Sequence, residues 1–393
     1  MLKPFILQFV AQLSTRISLG PDLCRNEEWL ETVIRYTVEA FLGADELRRY
    51  PSWLRPLVSL YLPGPRRVRA TIAWANALLG PEIERRRARH AALEAQGVKV
   101  KGKDTVRWMD EVAKGRPFDV VISQLFFSVA ALHTTSDLLT QAMFDLVTHP
   151  EVMDELREEV RRVIAADGWQ KTSLYKMKLM DSFLKESQRV NHPGKLSMNR
   201  KAVENVTLSD GTFISKGASI ACSVERMSDP TVDPEPEKLD ASRFLRMRER
   251  PGEENSWQFV TTSEDHLAFG HGTHACPGRS FASNEAKIAL CHLLLMYDWK
   301  LPDGVTKRPE TVWLAWDGVG GSDGEGVFSA GETRMYPRRG ANGCKMQKLS
   351  VRESRVFPTG TNRLTHALSQ NHIHSRGVQT VIRMQMFSRT DYI

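Results

Sequence analysis

Phe269-Gly270-His271-Gly272-Thr273-His274-Ala275-Cys276-Pro277-Gly278 is the stretch from which the rest of this chain can be read. Glycines at 270, 272 and 278 and a proline at 277 specify a tight backbone loop. The apolar segment that follows, about Arg279 to Met296, is predicted to be a helix, which puts Cys276 just before a helix N-terminus. That position favours a thiolate, because the free N–H groups and the dipole of a helix end lower a thiol's pKa. The same groups can hydrogen-bond a sulfur that coordinates a metal. Cys24, Cys222, Cys291 and Cys344 have no such setting and read as inert buried thiols. Five scattered cysteines with no C-x-x-C pair point to a reducing compartment. They also leave Cys276 without Cys or His partners at zinc-ligand spacing.

Working outward, the segment from about Asp119 to Thr148 is apolar on every face and stops before Pro150, as expected of a helix crossing the middle of a core. It contains Ala130-Ala131-Leu132-His133-Thr134-Thr135. Pro150 and Glu151 open a charged helix that Gly168 can end. A further amphipathic helix, about Met180 to Val190, carries Glu186-Ser187-Gln188-Arg189 and ends at Asn191-His192-Pro193-Gly194. The period then changes to alternation around Asp210-Gly211 and Lys216-Gly217, which predicts hairpins. Upstream, residues 28–50 and 67–87 have helical periodicity, with Pro51, Pro56, Pro63 and Pro65 between them. Phe5, Ile6, Phe9, Val10 and Leu13 predict a buried amphipathic helix at the start. The fold class that emerges is mainly α with a small β component.

Bulk properties narrow the function. A chain of 393 residues with 41% hydrophobic residues can fill a substantial core. The formal charge of +7 is uneven: eleven Lys/Arg against five Asp/Glu from Gly318 onward supply +6 of it, leaving +1 for everything before. The main body is therefore nearly neutral, and the chain has no aromatic and basic interleaving, so no nucleic-acid partner is expected. The run Arg85 to Arg89 reads as a solvated helix face. No segment reaches the length of uncharged apolar sequence that a membrane span needs.

The loop matches the F-x-x-G-x-x-x-C-x-G haem-binding pattern of the cytochrome P450 family through Phe269, Gly272, Cys276 and Gly278. The resemblance extends in the family's order. Glu186 and Arg189 resemble its E-x-x-R motif, although Glu82/Arg85 and Glu158/Arg161 show the same spacing as ordinary helical pairs. Pro236, Glu237, Arg243 and Phe244 resemble the P-E-x-x-x-x-x-R-F element that follows it, and residues 130–135 resemble the A/G-G-x-D/E-T element. The resemblance implies a cytochrome P450-like fold and a haem b whose iron takes an axial thiolate from Cys276, with Gly270 in the same loop and His274 against a haem propionate. It implies a structural triad of Glu186, Arg189 and Arg243. It places Thr134 as the hydroxyl that feeds protons to oxygen, with His133 standing where an acid is usual; a histidine can also relay protons. Read from the residues alone, these threonines could instead bond back to helix carbonyls.

As function, the resemblance implies a monooxygenase that uses O₂ and electrons from an NADPH-dependent cytochrome P450 reductase on the endoplasmic reticulum face. Residues 256–278 are most similar to fungal members acting on terpenoids and related natural products in secondary-metabolite biosynthesis, which implies an apolar small-molecule substrate. Leu125, Phe126, Val129, Ala130 and Pro193 to Leu196 are the expected lining. Two departures accompany this. The membrane helix, N-terminal sheet and propionate-binding helix that open such an enzyme have no counterpart before Lys3, so the fold is expected to be incomplete at the N-terminus. Beyond Trp316 the sequence resembles nothing in the family, and residues 317–393 are expected to be a poorly ordered tail from an altered reading frame or retained intron. The alternative these departures raise is a truncated, inactive remnant.

Overall fold

A computed structural model describes residues 2–301 apart from 99, 101 and 103, then 304, 305, 307 and 308, and the backbone of three strands at 311–313, 327–329 and 334–337. The first half is helical: α1 (Leu2–Ser18), α2 (Glu27–Arg48), α3 (Arg55–Val58), α4 (Pro63–Ala95) and α5 (Thr105–Ala113). Next come α6 (Val120–Thr148), α7 (Pro150–Asp167), α8 (Lys171–Lys176) and α9 (Lys178–Val190). The mixed part holds β1 (Leu196–Lys201), β2 (Val206–Thr207), β3 (Phe213–Ile214), β4 (Ser219–Ser223), α10 (Arg243–Met247) and α11 (Arg279–Met296). It continues with β5 (Tyr297–Lys300), β6 (Thr311–Trp313), β7 (Val327–Ser329) and β8 (Arg334–Pro337).

Helix α6 is the axis of the core. Asp119 caps it, its side chain accepting the Ile122 N–H at 2.9 Å, and the helix stops where Pro150 removes the next donor. It packs against α1, α2, α4, α7, α9 and α11. Leu125, Leu132, Leu139, Met143 and Leu146 are fully buried along it. Helix α1 lays Ile6, Phe9 and Val10 into the same core, as its spacing predicted. Among the described residues no helix is long and apolar enough to cross a membrane.

The strands form four antiparallel pairs among the described residues: β1 with β4, β2 with β3, β5 with β8 and β6 with β7. The Asp210-Gly211 turn closes the β2/β3 hairpin, with Val206 opposite Ile214. Lys216-Gly217 does not close a second hairpin, contrary to the sequence reading. The Gly217 N–H instead reaches the Ala202 carbonyl at 2.8 Å, and β4 crosses back to pair with β1. A short turn cannot distinguish a hairpin from a change of partner. The ladder between β1 and β4 is irregular between Ser197 and Arg200, where Met198 takes a positive φ of 56°.

Arg85 to Arg89 is also not wholly a solvated face. Arg85 is exposed, but Arg86 donates to Leu19 O at 2.7 Å and Asp104 Oδ2 at 3.3 Å, tying α4 to the end of α1 and the cap of α5. Arg87 pairs with Asp110 at 2.6 Å. Of the expected tail, β7 and β8 are described and pair with strands ahead of it; the remainder of 317–393, Cys344 included, lies outside the described residues.

Candidate haem-thiolate site

The cysteine loop is built from its own backbone. Gly270 (φ 65°) and Gly272 (φ 72°) adopt the left-handed conformation that side-chain-bearing residues resist, which lets the chain reverse twice within three residues. The Gly270 N–H then bonds Leu267 O at 2.8 Å, Ala275 N–H bonds Gly272 O at 3.0 Å, and Cys276 N–H bonds Phe269 O at 2.8 Å. Cys276 sits partly buried at the entrance to α11, whose N-cap is Gly278. A side chain at 278 would stand 3.8 Å from the Cys276 sulfur, so glycine keeps that side of the thiol open. Phe269 anchors the loop's start edge-on against the buried Phe259 ring, with centroids 5.2 Å apart.

Neighbouring elements grip the same loop. Ser197 on β1 donates to Leu267 O at 2.9 Å, and the irregular turn at Met198 brings its sulfur 3.0 Å from the His271 N–H. His271 Nδ1 meets the Thr262 hydroxyl at 3.0 Å. His274, the expected propionate partner, is exposed.

The face of α6 that is open to solvent carries Phe126, 66% exposed, Phe127, 41% exposed, and the exposed Ala130 and Thr134. Residues 126, 130 and 134 follow one another at four-residue spacing and so form one stripe. Thr134 donates its hydroxyl to Ala130 O at 2.8 Å, leaving its lone pairs outward. His133 turns elsewhere. Its Nε2 lies 2.7 Å from the Thr37 hydroxyl on α2, and that hydroxyl spends its own proton on Ile34 O at 2.8 Å. Nε2 is therefore the donor, and burial together with nearby Lys3 lowers the ring's pKa. Leu125, expected to line a substrate site, is fully buried in the core instead.

Glu186, Arg189 and Arg243 meet in a buried cluster. Arg189 donates twice to Glu186, at 2.8 and 2.9 Å, and Arg243 Nε lies 3.2 Å from both carboxylate oxygens. Arg189 also holds Met227 O at 2.9 Å and Pro236 O at 2.8 Å. The sequence reading missed Asp233, which stands 3.8 Å from Arg189 and 3.6 Å from Arg243 and makes the cluster two acids and two bases. Its proline-flanked loop offered no periodic signal. Also missed was Glu285 on α11: Oε1 accepts from Ser14 at 2.7 Å, Oε2 is buried with no hydrogen-bond partner, and burial pushes its carboxyl up to about 7.

Of the other thiols, Cys24 and Cys291 are buried as expected, and burial pushes the Cys291 thiol up to about 12. Cys222 is exposed on β4, which corrects its reading as buried. Among the described residues, His, Cys, Asp and Glu side chains form no group of three or more able to hold a metal ion.

The helix order and the loop define a haem-thiolate class of fold, and comparison with known proteins agrees. The family model described as Cytochrome P450 matches residues 118–318. The cytochrome P450 monooxygenase hepE of Aspergillus oryzae is 47% identical over 306 residues, covering 77% of this chain and 56% of that protein. The cytochrome P450 monooxygenase 1 of Gibberella fujikuroi is 45% identical over 310 residues, covering 78% of this chain and 70% of its own length. In structure, the haem domain of cytochrome P450DA superposes with a TM-score of 0.63 at 19% identity, covering 86% of this chain and 68% of that one. A retinoic acid bound cyanobacterial CYP120A1 gives 0.62 at 18%, covering 86% and 69%. This chain belongs to the cytochrome P450 family. Family and fold imply a haem whose iron is held by a cysteine thiolate. The chain spans somewhat over half the length of hepE.

The residues present fit that group. Cys276 is partly exposed at a helix N-terminus, glycine rather than a side chain flanks its sulfur, and α11 packs against α6, whose open stripe is apolar except for one hydroxyl.

Proposed function

We propose that this chain is the haem-binding body of a fungal monooxygenase that oxidises an apolar, terpenoid-like natural product in secondary-metabolite biosynthesis. It would draw electrons from an NADPH-dependent cytochrome P450 reductase at the endoplasmic reticulum face. The observation that carries the reading is Cys276, partly exposed at the entrance to α11 in a loop held by its own backbone bonds. When bound, haem with thiolate donation supplies the oxygen-splitting chemistry.

The chain's own residues divide the remaining work. Cys276 would hold the haem iron through its thiolate, and the first N–H groups of α11 would stabilise the negative charge on the sulfur. His274, exposed in the same loop, is free to reach a propionate. Phe126 and Ala130 offer apolar surface to a substrate and exclude water from it. Thr134 holds its hydroxyl proton toward the Ala130 carbonyl and, by rotating χ1, could turn that O–H toward a bound reactant. His133, already donating to Thr37, orients α6 against α2 rather than passing a proton to Thr134. Glu186, Arg189 and Arg243 brace the loop that leads to the site and touch no reactant. What supports this reading over an inactive remnant is the identity of 47% over 306 residues and 45% over 310 residues to two fungal monooxygenases.

The test is the carbon monoxide difference spectrum of the reduced chain supplied with haem. The strongly red-shifted Soret band of thiolate ligation is expected, and Cys276→Ser should abolish it. A spectrum indifferent to Cys276 would overturn the assignment.

A further inference from the structure

Residues 257–262 run just ahead of the cysteine loop, and buried charged side chains hold most of their backbone. Lys185 on α9, 1% exposed, donates its ammonium to Thr261 O at 2.7 Å and Gln258 O at 3.3 Å. The same ammonium stands 5.3 Å from the centroid of the Phe244 ring. Asp181, one helical turn earlier, is committed elsewhere: to Lys287 at 2.5 Å, to Arg248 at 3.3 Å and to the Phe259 N–H at 2.8 Å. Between the two carbonyls taken by Lys185 lies that of Val260, which accepts from Arg279 Nε at 3.1 Å. The other end of that guanidinium, Nη1, donates to the carbonyl of Cys276 at 2.8 Å.

Burying an ammonium is costly when only neutral acceptors receive it, and burial draws the Lys185 pKa down to about 7. A methionine of similar length would fill the space without that cost. The charge is therefore tied to the two carbonyls it holds. Those carbonyls flank the one residue that, through Arg279, touches the cysteine.

We propose that Lys185 is a positioning residue for Cys276: it pins residues 258–261, and Arg279 transmits that placement to the backbone of the cysteine. Its consequence for ligation rests on the haem-thiolate reading above, whereas the placement itself exists in the chain without haem.

The experiment uses the full chain without haem and reads the alkylation rate of Cys276 with iodoacetamide by peptide mass mapping. Cys222, exposed on β4, is the internal reference. Lys185→Met, Arg279→Met and the double variant are compared. Each single change is expected to shift the Cys276-to-Cys222 rate ratio by about threefold or more, because a thiol's reactivity follows its immediate surroundings. The double variant should shift it no further than the larger single change, because both act through one chain of contacts.

A ratio unchanged in folded Lys185→Met, with only a lower melting temperature, would make Lys185 a stability residue and overturn the proposal. Additive shifts would equally break the transmitted link. Should Lys185→Met not fold, Lys185→Arg, which keeps the charge and N–H donors for both carbonyls, is expected to hold the ratio within about twofold while Arg279→Met shifts it. An unshifted Arg279→Met then overturns the proposal. A shifted ratio in a chain that gives no thiolate spectrum would leave the positioning intact and the haem reading refuted.

Discussion

Glu186 is one fully buried carboxylate shared by two guanidinium groups, whose other bonds go mainly to backbone carbonyls. Glu186→Gln takes the nearest carboxylate from Arg189 and Arg243 and leaves Asp233, at 3.8 and 3.6 Å, as the charged partner beside their backbone carbonyls. A loss of roughly 3 to 5 kcal/mol in urea unfolding is expected, the cost of stranding buried charge. Glu285 predicts a pH dependence of the opposite kind from an ordinary carboxylate. Its folded-state pKa is raised to about 7, above the value of 4.5 it has in water, so the native state binds the extra proton. Stability from this group is complete below about pH 4.5 and is lost as pH climbs to about 7, by on the order of 3 kcal/mol. Glu285→Gln should therefore gain stability relative to the unsubstituted chain between about pH 5 and pH 8, measured by denaturant unfolding at both. A constant difference would mean that the carboxyl is ionised throughout.

At the scale of elements, α2 and α4 approach as closely as two glycines permit. A Cβ at Gly64 would lie 2.9 Å from Gly43 Cα and would crowd the Glu46 carboxylate that accepts the Gly64 N–H at 2.7 Å. Gly64→Ala is expected to lower stability by about 1 to 3 kcal/mol through overpacking, read as a shift of the unfolding midpoint. Helix α6 offers a milder test. Asp119→Ala removes the cap on Ile122 and should cost about 1 kcal/mol without altering the spectrum of any bound haem. The existence of α6, α7, α9 and α11 was legible because each joins an apolar period to a cap, a proline or a glycine at its ends. The change of partner at Lys216-Gly217 was not legible, because turn residues specify a reversal and say nothing of which strand receives it. Nor was the role of Arg86, since a charge run shows its charge and not the carbonyl of Leu19 that lies 67 residues away.

Among the described residues α6 packs against six other helices, α9 and α11 among them. Hydrogen exchange should therefore be slowest in the buried turns of α6, α9 and α11. It should be fast in the β2/β3 hairpin, whose residues are almost all exposed, and equal rates in the two regions would contradict this packing. The open stripe on α6 makes a further expectation at this scale. Phe126 and Phe127 expose apolar surface on the solvent-facing side of the helix, so Phe126→Ala should lower affinity for apolar ligands about tenfold, measured by titration, with little change in stability.

The sequence by itself determined the helical class, the position of the long central helix and the loop that presents Cys276. Glycine, proline and apolar period act on the chain within a few residues and need no partner to be read. The E-x-x-R pair illustrates the limit: its spacing is shared by ordinary surface pairs, Arg243 joins it in the sequence only through the family resemblance, and Asp233 is brought to it by the fold alone. The tertiary structure likewise decided that His133 serves α2, that Leu125 belongs to the core, and that Lys185 and Arg279 hold the segment before the cysteine. Those outcomes depend on which groups the packing brings into contact, and a buried charge is held by whichever carbonyl or carboxylate reaches it, at any distance along the chain.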